Sequence, residues 1–135
     1  MSADEDLGGR DRPVRHQPVP LQGVAQRLTI HVDETVQHQH HPLYVELVHR
    51  AHAHGMAGAT VLRGVEGYGA SNHIHTTRML SLSEDLPVLV VIIDSRERIA
   101  LFLQDIEPIL GDGLIVLEEV EVVFYSGRPP TDPLP

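Results

Sequence analysis

Histidine is the residue type in this chain most able to do chemistry. His73 and His75 are one residue apart, and His38, His40 and His41 form a second group. In an extended segment residues i and i+2 point to one side, so His73 and His75 could chelate a borderline-soft cation through two imidazoles. His49 and His52 stand three apart, a spacing that fits one face of a helix. Ten histidines in 135 residues is an excess, but the chain has no cysteine and no HExxH pattern, so no structural or hydrolytic zinc centre is specified. The competing reading is solubility: with no lysine present, histidine and arginine supply the polar basic surface. Ser71 and Ser83 lie in no strained nucleophile elbow and beside no paired base. Glu84 with Asp85, and Glu118 with Glu119 and Glu121, read as charges at a turn and along a strand edge rather than as an acid/base pair. The protein is therefore expected not to be an enzyme.

Glycines at 64, 67 and 69 in GVEGYGASNHIHTTR leave backbone N–H groups unshielded, which suits close approach to an anionic or carbonyl-rich ligand. A second glycine turn, Gly111-Asp112-Gly113, lies further along. These loops need elements to hold them. Residues 27–32 alternate, with Leu28, Ile30 and Val32 on one face and Thr29 and His31 on the other, as in a half-buried strand. Pro42 suits a first helical position, and Leu43, Tyr44, Leu47, Val48 and Ala51 form an apolar stripe that stops at Gly55. A strand follows over 59–62, then the glycine segment, then the apolar run of 88–93. Ser95 can cap a second helix whose Ile99, Phe102, Leu103, Ile106 and Leu110 share a face, with Pro108 straining its last turn. A long strand over 114–125 closes the order β-α-β-β-α-β.

The six residues of VLVVII are all apolar, so that strand should be buried on both faces, which favours oligomerisation through the sheet. Residues 1–25 and the proline-rich 127–135 mix charge, glycine and proline without apolar period and read as disordered tails flanking one domain over 26–126. A net charge of −9 with ten arginines as the only strong bases argues against nucleic acid. The acidic N-terminus does not resemble a signal peptide and no apolar run is long enough for membrane insertion, so a cytoplasmic location is expected.

The stretch AHAHGMAGATVLRGVEGYG resembles the end of the first helix, the second strand and the start of the T-loop in PII signalling proteins. LPVLVVIID is similar to their strand after that loop, and LGDGLIVL to the Gly-Asp-Gly B-loop that opens their last strand. GATVLRG, the Ile74-His75-Thr76 triplet and LSEDLPV most closely resemble the PII-like family known as domain of unknown function 190. The resemblance implies an α+β fold, a ferredoxin-like β-α-β-β-α-β sandwich with a PII-like T-loop, assembled as a homotrimer with its sheets facing inward. It implies a signalling role in which a small ligand, an adenine nucleotide in PII proteins, binds in clefts between subunits. The T-loop is then presented to a partner such as a membrane transporter or an enzyme. By matching motif, the ligand-binding residues are Thr60, Gly67, Tyr68 and Gly69 at the loop base and Gly111, Asp112 and Gly113 in the B-loop, with Arg63 and Arg78 as added positive charge.

Departures from the PII pattern temper that expectation. Leu114 stands where the PII B-loop has a lysine, and Ser71 where it has a metal-binding glutamine. Binding is thus expected to be micromolar or weaker, with little dependence on magnesium, and Gly113→Val is expected to abolish it without unfolding the trimer. Gly64 to about Leu82 is expected to be mobile without ligand. The alternative is a metal-binding trimer like the CutA proteins, with His73 and His75 as ligands; a trimer whose ligand is neither remains a third reading.

Overall fold

The computed structural model describes residues 21–69, 75–76 and 86–127. Its elements are β1 (Gly23–Asp33), α1 (Leu43–Ala53), β2 (Thr60–Arg63), β3 (Pro87–Asp94), α2 (Arg96–Ile106) and β4 (Leu114–Val122), the order expected from the hydrophobic periods. The four strands form one antiparallel sheet in the order β2-β3-β1-β4. Two short ladders flank it, Gln37–His38 with His41–Pro42 and Glu66–Gly67 with His75–Thr76.

Alternation fixes which face of the sheet the helices cover. Leu28, Ile30 and Val32 of β1 stand opposite Ile92, Val90 and Val88 of β3, and all six are buried under the helices. From α1 come Leu43, Leu47 and Ala51, and from α2 Ile99, Phe102 and Ile106, each buried. Burial of an aliphatic or aromatic side chain contributes about 1.5–3 kcal/mol, and with no disulfide this core is what holds the chain. Tyr44, Val48, Leu103 and Leu110 pack partly buried around it.

Caps and stops follow from local chemistry. Ser95 Oγ accepts a hydrogen bond from the Arg98 amide at 3.3 Å and starts α2. Pro108 cannot donate to a helical carbonyl, so α2 ends at Ile106 and Glu107–Ile109 tighten into a 3-10 turn. Pro42 is the residue before α1 rather than its first helical one, with φ −56° and ψ 133°. Asp94 is buried, and its carboxylate accepts from the Ala57 amide at 2.9 Å and the Ser95 amide at 2.7 Å, tying the approach to β2 to the β3–α2 junction.

Two expectations about boundaries are corrected. Gly23–Ala25, assigned to the N-terminal tail, belong to β1 and pair with Val120–Val122. β4 ends at Val122, and Val123 and Phe124, each 80% exposed, leave the ladder. Within one chain the VLVVII strand leaves Leu89 and Val91 half-buried and Ile93 exposed on the side away from the helices, the face expected to be covered by oligomerisation.

Candidate ligand site at the loop base

β2 ends at Arg63 and hands the chain to the glycine segment, and what fixes that exit is Pro87 at the start of β3. The Gly64 amide donates to the Pro87 carbonyl at 2.8 Å, and a Cβ on Gly64 would lie 2.8 Å from Pro87 Cγ. A Cβ on Gly67 would lie 3.3 Å from the same atom. Two glycines therefore let the loop base lie flat on one proline ring. Beyond them, Tyr68 is 65% exposed and Gly69 has open space where a side chain would go. Arg78 and His73 lie outside the described residues, as does most of the segment 64–82; His75 is paired with Gly67 along the backbone.

Arg63 stands opposite Val88 and so shares the helix-covered face of the sheet, where its guanidinium forms an ion pair with Glu34 in the β1–α1 connection. The Arg63 side chain is 58% exposed and that of Glu34 only 13%. The second carboxylate oxygen of Glu34, Oε2, is buried with no hydrogen-bond partner among the described residues. The backbone amide of Glu34 donates to the Leu86 carbonyl at 2.9 Å. No motif pointed to Glu34. The one signal was an acid just past the alternating strand, at the end of the sheet where the loop leaves.

Gly111, Asp112 and Gly113 are exposed and lead directly into β4. The pairings Arg63 with Val88, Val32 with Val88 and His31 with Leu114 place this turn and the loop base at the same end of the sheet. They sit at opposite edges, separated by three inter-strand gaps, or about 14 Å. One chain therefore does not bring the two glycine turns together. Gly113 is also structural, since a Cβ there would lie 3.0 Å from the His31 carbonyl oxygen. Gly113→Val would press on the backbone of β1, so it does not separate binding from folding as expected. Gly111 has nothing within 4 Å of a Cβ and can carry that test.

Thr60 is not at the loop base. It opens β2, opposite Val91 on the helix-free face, three residues or about 10 Å along the strand from Arg63. There it lines a groove of about 700 Å3 together with Arg27, Val91, Ile93, Val120 and Tyr125. The Tyr125 hydroxyl reaches across to the Ala57 carbonyl at 3.3 Å. Leu114, in the lysine position of the PII pattern, is 54% exposed.

The histidines divide among separate places. His38 and His41 are opposite each other in a hairpin whose central residues, Gln39 and His40, have φ of 49° and 70°. His54 bonds Asp105 through Nε2 at 2.9 Å and meets the Phe102 ring edge-on. Among the described residues no group of three or more His, Asp or Glu side chains is arranged to hold a metal ion.

Comparison with known proteins agrees with this architecture. The family model of DUF190, described as Uncharacterized ACR, COG1993, matches residues 25–122. A UPF0166 protein of Aquifex aeolicus is 40% identical over 97 residues, covering 72% of this chain and 91% of that one. UPF0166 protein MJ1524 of Methanocaldococcus jannaschii is 30% identical over 105 residues, covering 77% and 94%. Among solved structures, a putative PII-like signaling protein (TTHA0516) from Thermus thermophilus superposes with a TM-score of 0.55 at 21% identity over 75% of this chain and 91% of that one. CPII, a nitrogen regulatory PII-like protein from Thiomonas intermedia K12 bound to ADP, AMP and bicarbonate, gives 0.54 at 19% identity over 73% and 88%. At these identities the two structures establish a shared fold.

Proposed function

The chain belongs to the DUF190 family, and from that premise we propose that it is a PII-like regulatory protein: a homotrimer that binds an adenine nucleotide between subunits and acts by presenting its loop to a partner rather than by turnover. The observation that carries this reading is the placement of the two glycine turns at one end of the sheet but on opposite edges. Side by side in a ring, the loop-base edge of one subunit meets the Gly111-Asp112-Gly113 edge of the next, and backbone N–H groups from both can face one phosphate. CPII, which shares the fold, holds ADP and AMP. The half-exposed apolar side chains of Leu89 and Val91 supply a surface for the assembly. The protein works in the cytoplasm in this reading, and its partner is a transporter or an enzyme. No helix of the described residues is long and apolar enough to cross a membrane.

Calorimetry with AMP, ADP and ATP tests it. Micromolar or weaker binding is expected, with AMP and ADP competing well against ATP, because Leu114 supplies no charge-assisted hydrogen bond. One such bond is worth roughly 1.5–3 kcal/mol, or about one to two decades of affinity. Gly111→Val should remove binding and leave the thermal midpoint in place. Absence of heat with every nucleotide at millimolar concentration would reject the reading.

A further inference from the structure

We propose that Glu34 is a built-in competitor for the ligand's phosphate: an anion at the loop base binds by taking the Arg63 guanidinium away from Glu34, and that exchange removes one of the ties on the end of β2 where the loop begins. This rests on the nucleotide-site reading above. Glu34 touches both ends of the glycine segment. Its side chain holds Arg63, the last residue before Gly64, and its backbone amide holds the carbonyl of Leu86, the residue before Pro87 where the chain re-enters the sheet. Breaking the first link while keeping the second loosens the loop's entry, which the Gly64 amide still ties to the Pro87 carbonyl, and leaves its exit tied.

Arg63 is suited to change partners. Its side chain is more than half exposed, so a ligand can reach it from solvent without opening the core. With a net charge of −9, the molecule offers an incoming phosphate no long-range attraction, and a local cation must supply it. The arginines at 27, 50 and 98 are paired elsewhere, with Glu118, with Glu46 and Asp105, and with Asp94. Glu34 is suited to resist the exchange. One of its oxygens is already buried without a hydrogen-bond partner among the described residues, so loss of Arg63 would leave a poorly solvated carboxylate. The ligand therefore binds against an opposing cost, and that cost couples occupancy to the loop.

Glu34→Gln keeps the shape and removes the competing charge. ADP and inorganic pyrophosphate are the probes, with calorimetry and amide exchange as readouts. The variant should bind both about tenfold more tightly than the wild type, since it gives up a charge-assisted partner for a neutral one. Without ligand, its exchange at residues 64–67 should match that of ADP-bound wild type. Glu34→Asp, which withdraws the carboxylate by one methylene, should shift both readouts in the same direction and covers the case in which the amide fails to fold. Wild-type binding with equal or weaker binding in both Glu34 variants overturns the exchange and leaves the nucleotide site standing. No binding by any of the three proteins overturns both.

Discussion

At the scale of single residues, the described ion pairs sort by what they hold. Arg27 and Glu118 form a forked pair across β1 and β4, but both side chains are over 40% exposed, and such pairs contribute about 0–1 kcal/mol. Arg50 is a structural bridge: it bonds Glu46 one turn back on α1 at 2.9 Å and reaches Asp105 on α2 at 3.2 Å. The hydrogen bond from Arg50 outweighs the opposing effect of burial and holds the Glu46 carboxyl below its ordinary range, with the fields of Arg50, His38 and His49 adding to it. A carboxylate whose folded pKa is depressed contributes stability that is fully present above its unfolded value, about 4.3, and is lost as the pH falls through the folded value. Glu46→Gln should therefore lower the melting temperature by a constant amount above about pH 5, and the two curves should draw together as the pH falls through the depressed value. Melting curves that stay parallel down to about pH 3 would show that the pair does not hold in solution.

At the scale of elements, β1, α1 and α2 were legible because each carries a clean period of two or of 3.6, and β3 because it is an unbroken apolar run; the stripes named from the periods are the ones that face the core. Where the period stopped, reading failed for identifiable reasons. Gly23–Ala25 belong to a strand through pairing with Val120–Val122, a long-range contact with no local signature. The hairpin over 37–42 turns through Gln39 and His40 at positive φ, where Asn-Gly would have announced it. The candidate site was legible in its glycines but not in Glu34, whose role depends on two segments brought to it from the far side of the loop. Glycine motifs also conflate two reasons for glycine, and the structure separates them. Gly64→Ala drives a Cβ into Pro87 and should cost about 1–3 kcal/mol, whereas Gly111→Ala meets nothing and should stay within about 0.5 kcal/mol of wild type. Urea unfolding of the two variants measures the difference. Equal stabilities would mean that the loop base does not rest on Pro87.

At the scale of the whole molecule, the sheet has one closed face and one open one, and neighbouring residues of β3 belong to different faces. Val90 points into the core at 0% exposure, while Val91 lies on the helix-free face beside Thr29 and Thr60. That face also carries Leu62 at 52% exposure and Ile93 at 36%, an apolar surface continuous across the two strands. In an isolated chain it would meet water, and contiguous apolar patches of this kind mark contact sites. A charge on either valine thus tests a different level of organisation. Val90→Glu buries a carboxylate without a partner and should abolish cooperative unfolding. Val91→Glu leaves the core untouched, so far-ultraviolet circular dichroism should remain native while the assembly dissociates. In light scattering the wild type should show about three times the 14.9 kDa chain mass and Val91→Glu a single chain. A native-like Val91→Glu that keeps the wild-type mass would place the subunit contact elsewhere on the molecule, and a wild type of single-chain mass would remove the trimer altogether.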